Sequence, residues 1–336
     1  MRGYDDLIEA QDFNGLLRAV DAACEARSWD ELIDLAESCE AAIERGKQLW
    51  PIATHIDYRL ALEAPAEYAA PVLHSDVGRF AAGPLTEVVA STHTWEELVP
   101  HIEAPHLAAY VAQERVLRGE LLTGDGRAHA EILELPLSLQ PWEPTYALAR
   151  FRSTFVEVAE PWVPKAALRP LHLRPGALQE DQELTEALLD LVQPWTAESN
   201  GAARAVAAEG DAPAAVSHLA FDGARIGELS LAEGFQRMAW AAAAGGAHGR
   251  RRGAALGRFL AWYTAALIAG CSWPPEPGEL EASLDDVRWY RWDEGAEEDG
   301  WVLRLAVEHQ GDGWAAALGA TDVLEDLDGV SRPPKP

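Results

Sequence analysis

Apolar residues recur at three- and four-residue intervals through the first 125 or so positions, broken by short turns carrying Pro65, Pro71, Pro84, Pro100 and Pro105. This is the pattern of packed helical hairpins. Two helix starts are strongly marked: Ser28-Trp29-Asp30-Glu31 and Thr94-Trp95-Glu96-Glu97 each put a hydroxyl at the N-cap and a glutamate three residues on, followed by Leu32 or Leu98, the signature of a capping box. The shared order hydroxyl-Trp-acid-Glu-Leu fits either a helical repeat or coincident capping chemistry, and two copies set no period. Further helices are predicted around Gly15 to Arg27, Gln48 to Leu62 and His106 to Gly119.

Between residues 126 and 176 the pattern changes. Pro136, Pro141, Pro144, Pro161, Pro164, Pro170 and Pro175 exclude continuous helix there, while Tyr146 to Val158, rich in aromatic and β-branched residues, favours one or two strands. Helices resume over residues 177–272, with Ser230-Leu231-Ala232-Glu233 as a third capping box and Gly245-Gly246 as its helix stop. Trp273-Pro274-Pro275-Glu276-Pro277-Gly278 ends that region. Beyond it Trp301, Leu303, Leu305 and Val307 alternate with Val302, Arg304, Ala306 and Glu308, the period of a strand with one buried face. Val287 to Trp292 and Trp314 to Leu318 complete a small three-stranded antiparallel meander within 273–328, which must pack on the helices because so small a sheet is marginal alone. Residues 329–336, GVSRPPKP, read as a disordered tail. The expected fold class is therefore mainly α (α+β), packed helical hairpins with a small C-terminal antiparallel β-meander.

Gly245 to Gly270 combines small residues at every fourth position (Gly249, Gly253, Gly257, Ala261, Ala265, Ala269) with three consecutive arginines, Arg250, Arg251 and Arg252. A glycine inside a helix costs about 1 kcal/mol relative to alanine, so Gly253 and Gly257 predict a close helix crossing that returns the loss. A helix beginning near His248 or Gly249 would place the arginines where its dipole is already positive. Either the chain's own carboxylates neutralise them, or a phosphate- or carboxylate-bearing small molecule docks at Arg250, Arg251, Arg252 and Arg258, with Trp262 as a stacking face. Arg258 and Trp262 could equally make a cation–π pair. Arg258 also interrupts the apolar run Ala254 to Trp273, leaving less than the roughly 20 residues a membrane span needs, so a buried core helix is expected and no membrane partner. Gly246 to Phe259, GAHGRRRGAALGRF, resembles a stretch recurring in uncharacterised actinobacterial proteins; the resemblance implies no activity.

Charge sharpens the picture. Fifty-five acids against 27 bases give a formal charge of −28, which excludes free nucleic acid as an expected partner. From Glu276 to Asp328 there are 16 acids and three bases, an acidic C-terminal face. Hydrophobic content of 48% with 24% charged residues is that of a globular chain. Cys24, Cys39 and Cys271 are too few and too scattered for a disulfide framework, and MRGYDDLIEAQDF has no basic-then-apolar leader, so a reducing cytoplasm is expected.

Common catalytic signatures are missing: there is no GxxxxGK[ST], HExxH or GxSxG, and His129-Ala130-Glu131 lacks the P-C-x-x-C that a zinc deaminase needs. His101 and His106, with Glu103 between and His93 nearby, are the nearest approach to a metal set, but Pro105 interrupts them and no metal is expected. His55, Arg59 and Glu63 form a row at four-residue spacing, either a cleft wall or a solvated helix face with an Arg59 to Glu63 pair. Two functions remain: a cytoplasmic binding or regulatory protein that recognises a basic protein partner, or a small-molecule protein, possibly an enzyme, holding an anion at the arginines. No cofactor is indicated by name.

Overall fold

The helices predicted around Gly15 to Arg27, Gln48 to Leu62 and His106 to Gly119 are present in the N-terminal part of the chain. The computed structural model describes residues 4–73, 83–158, 167–295 and 300–323. Two compact units emerge, Met1–Leu133 with Ala149–Val158, and Glu134–Leu148 with Ala159–Pro336. The expected tail, 329–336, lies outside the described residues.

The first unit carries helices α1 (Asp5–Ala10), α2 (Phe13–Ala26), α3 (Trp29–Glu44), α4 (Trp50–Glu63), α5 (Ala66–Ala69), α6 (Leu85–Thr92), α7 (Trp95–Leu98), α8 (Pro105–Leu117) and α9 (Ala130–Leu133), with a short hairpin β1 (Arg150–Phe151) and β2 (Val156–Glu157). Packing runs from α3 to α4, α4 to α6 and α6 to α8, around fully buried Leu32, Ile56, Val88 and Val111. The two Trp motifs both start helices, yet they differ. At Thr94 the box closes, the backbone N–H donating to Glu97 Oε2 at 2.8 Å. At Ser28 no side-chain cap forms, and the Glu31 carboxylate accepts from the Tyr4 hydroxyl at 2.6 Å. Trp95 is buried and donates to Asp125 at 2.8 Å, whereas Trp29 is only half-buried.

The second unit follows the order β3 (Arg169–Pro170), β4 (Leu178–Gln179), α10 (Gln182–Asp190), α11 (Gln193–Ala197), β5 (Ala202–Glu209), α12 (Ala212–Val216), β6 (Arg225–Leu229), α13 (Leu231–Ala243), α14 (Ala254–Ile268), α15 (Pro277–Leu284), β7 (Val287–Asp293), β8 (Trp301–His309) and β9 (Trp314–Asp322). The predicted meander, β7-β8-β9, is present but is the centre of something larger. Its strands sit inside a seven-stranded sheet of order β3-β6-β7-β8-β9-β5-β4, with every neighbouring pair antiparallel. The small three-stranded sheet is thus corrected. The largest addition is β5, Ala-Ala-Arg-Ala-Val-Ala-Ala-Glu, whose alanines favour helix on local propensity and hide it in the region read as helical. Tertiary pairing overrides that preference: β5 pairs with β9 in continuous register from Ala202↔Thr321 to Glu209↔Trp314. The single buried face expected of β8 is corrected: Leu303 to Val307 are buried in succession, because helices cover both faces that the alternating side chains present. On one, α12 and Leu219 pack on Ile226, Tyr290, Trp292 and Ala317; the other meets α10 at β5 and β9 and α13 at β7 and β8.

Helix α13 opens with the predicted box, Ser230 N–H donating to Glu233 Oε2 at 2.8 Å and Glu233 N–H to Ser230 Oγ at 3.3 Å. It stops before the double glycine. Helix α14 then begins at Ala254, later than expected, so the three arginines lie outside it. The cause is local: Gly253 takes φ +94°, and the N–H groups of Arg252 and Gly253 both return to the carbonyl of Ala243, at 2.8 and 3.3 Å. Of the two glycines expected inside the helix at a close crossing, Gly253 precedes the helix and Gly257 makes the crossing, since a Cβ there would collide with the Ala239 carbonyl oxygen and lie 2.9 Å from the Ala243 Cβ. Farther along, α14 meets a different neighbour, the Thr264 hydroxyl donating to the Ala187 carbonyl of α10 at 3.4 Å. Among the described residues no helix is long and apolar enough to cross a membrane.

Candidate functional site

Arg258 and Trp262, singled out for a ligand, come together around a carboxylate from the proline-rich segment. Arg258 is fully buried on α14 and forks onto Glu143, at 2.9 Å from Nε and 2.7 Å from Nη2. Its remaining donors reach the carbonyls of Pro136 at 2.9 Å and Ser138 at 3.0 Å. Glu143 also accepts from the Trp262 indole at 3.1 Å, from the Gln140 backbone at 2.9 Å and from the Tyr146 hydroxyl. The guanidinium carbon lies 5.8 Å from the Trp262 ring centroid. Burial alone would raise the Glu143 carboxyl, but the hydrogen bonds and charge of Arg258 outweigh it and hold the group below the usual carboxylate range. This cluster is a sealed ionic node. Sequence reading missed Glu143 and Tyr146, although a lone arginine in an apolar helix is itself a signal that a buried acid exists somewhere.

Arg250, Arg251 and Arg252 lie in the connection between α13 and α14, and each makes interactions within the protein. The Arg250 N–H donates to Glu198 Oε2 at 3.0 Å and the Arg252 guanidinium to the Asp190 carbonyl at 3.0 Å. The five predicted ligand residues therefore occupy two settings, the buried node and a connecting segment.

In the helical unit, the row His55, Arg59 and Glu63 forms on α4. Arg59 donates to Glu63 at 2.7 Å and to Asp21 of α2 at 2.5 Å. Burial, reinforced by the Arg59 charge, lowers the His55 pKa. The row ends at a cleft of about 480 Å³. Trp29 at the start of α3, Glu63 at the end of α4, Glu67 of α5, His93 after α6, Glu97 of α7 and His101 line it, with Arg27 contributing an opposing charge. The turn beneath it is fixed by the His93 ring, whose nitrogens lie 2.9 Å from the Ala64 carbonyl and 3.1 Å from that of Val89. Glu97 is held below the usual carboxylate range, first by the Thr94 backbone N–H. A cleft lined by an indole and three glutamates is a setting for a cation. Among the described residues no group of three or more His, Cys, Asp or Glu is arranged to hold a metal ion.

A second cleft, of about 460 Å³, opens at one end of the sheet beside Arg174, Asp211, Glu308 and His309. Its polar groups serve local structure: Arg174 pairs with Asp211, Glu308 accepts from the Ala212 N–H and the Tyr290 hydroxyl at 3.3 Å each, and the His309 ring stacks on Trp314 with centroids 5.7 Å apart.

The chain belongs to a family of unknown function (DUF6183), whose model matches residues 14–323. No curated protein and no solved structure matches it.

Proposed function

We propose that this chain is a binding protein that recognises a basic segment of a partner protein, and that the cleft of the helical unit receives one of the partner's cationic side chains. The observation that carries the reading is that Glu63, Glu67 and Glu97 line, together with the half-buried Trp29, a single cleft of about 480 Å³. The formal charge of −28 supports it by steering basic partners toward the chain. A cytoplasmic setting suits the cysteines: Cys24 and Cys39 are buried and unpaired, and burial pushes both thiols up to about 11. An anionic ligand at Arg250, Arg251 and Arg252 has weaker support, because Arg258 and Trp262 are committed to Glu143.

Isothermal titration of the full chain with an arginine- and lysine-rich peptide tests the reading. Binding is expected at 50 mM salt, weakening several-fold at 300 mM. Glu67→Lys, which reverses an exposed charge at the cleft, is expected to abolish it. Equal binding by an acidic peptide, or unchanged binding by Glu67→Lys, overturns the proposal.

A further inference from the structure

The outer side of α14 carries three aromatic rings that the core does not enclose. Phe259 and Tyr263, four residues apart, lie 8° from parallel with centroids 6.4 Å apart. Trp273, from the turn after the helix, meets both edge-on at 5.4 Å. All three are partly exposed. Single exposed apolar residues are ordinary, but a contiguous aromatic group on a helix flank leaves water-facing area that packing in the rest of the unit does not recover. The rings are also held in place before anything binds. The Tyr263 hydroxyl donates to Glu183 at 3.1 Å and the Trp273 indole to Glu134 at 2.8 Å. Their N–H and O–H donors are thereby spent inside the protein, and what the rings and their acceptors offer a partner is ring faces and carboxylate oxygens.

Both of these are electronegative. Glu134, Glu183 and Asp190 border the rings, and the Arg252 guanidinium donates to the Asp190 carbonyl. A flat, cationic, weakly hydrated group fits such a surface better than a compact ammonium, because it can stack on a ring and still donate along its edge to a carboxylate. We infer that the Phe259-Tyr263-Trp273 face is a docking surface for an arginine-bearing segment of a partner protein. Rigid aromatic anchors of this kind dominate binding energy at interfaces, and little side-chain entropy remains to be lost here. The surface shares no residue with the cleft of the helical unit, so the two stand or fall separately.

The test is fluorescence anisotropy of labelled nona-arginine and nona-lysine peptides on the full chain and its variants. Wild type is expected to prefer the arginine peptide, and Trp273→Ala and Phe259→Ala are each expected to weaken that peptide about tenfold while lowering its preference over lysine. Glu183→Lys, an exposed charge reversal, gives the same loss without removing a ring, and it decides the matter if either aromatic variant fails to fold. Affinity for nona-arginine unchanged in Glu183→Lys and in the folded aromatic variants overturns the inference, as does equal binding of the two peptides by wild type. Loss confined to Glu67→Lys would uphold the cleft and remove this surface; loss confined to the α14 variants would do the reverse.

Discussion

Arg59 and Arg258 are both buried arginines on helices, each forked onto a glutamate, yet they live in opposite environments. The partners of Arg59 stay wet, Asp21 with 57% and Glu63 with 31% of their side chains exposed. Arg258 and Glu143 are exposed by 0% and 1%. In the first case the guanidinium stem fills apolar space while its charge is answered at the solvent boundary, so water shares the work of the ion pair. In the second, desolvation is complete and only the pair and its ring of hydrogen bonds compensate. The same residue chemistry therefore gives an adjustable edge in one unit and a fixed strut in the other.

The largest expected effect breaks the strut. Glu143→Gln leaves a buried guanidinium without its counter-charge and should cost about 3–5 kcal/mol in urea unfolding. Removing both charges together, Arg258→Met with Glu143→Leu, should cost less, about 1–3 kcal/mol, because the remaining loss comes from the stranded Tyr146 hydroxyl, Trp262 indole and Pro136 carbonyl. A double variant as unstable as Glu143→Gln would show that hydrogen bonding, not charge, dominates the node. Opening the wet pair is milder: Glu63→Gln should change stability by under about 1 kcal/mol, and less again in 1 M salt, while Glu143→Gln should be insensitive to salt.

The smallest effect concerns pH. His55 stands beside Arg59, Asp21 and Glu63, and its folded pKa lies below the ordinary value, through burial and then the Arg59 charge. The unfolded chain therefore takes up the proton more readily, so this contribution is complete above about pH 6.5 and is lost as the medium is acidified below it. A His55→Phe variant should show a flatter urea midpoint between pH 5 and 7; an unchanged slope would remove His55 from the account.

What could be read from the chain follows from how local each signal is. Thr94 and Ser230 announce helices because their partners, Glu97 and Glu233, sit three residues away. Strands β8 and β9 show because β8 alternates in sequence and a short glycine-bearing turn over 310–313 leads into β9, while β7 shows by its aromatic and β-branched content. Strand β5 does not, since alanine carries no alternating contrast, and β3 and β4 are two residues each, too short for any period. Glu143 escapes for a different reason: its partner is 115 residues away, and nothing near Pro141 and Pro144 points to it. In the cleft, Glu63 and His93 stand out in the sequence, but Trp29 and Glu67 are brought in only by the ends of separate helices.

Asp322 carries a consequence for how short this chain can become. Nearly fully buried at the end of β9, its carboxylate accepts from the Ser199 hydroxyl at 3.0 Å and from the Ala247 N–H at 2.6 Å, and so clasps the connections after α11 and after α13. A chain ending one residue earlier would keep almost all of β9 yet release both connections. The boundary of a minimal folding unit is set here by a side-chain clasp and not by the length of the strand.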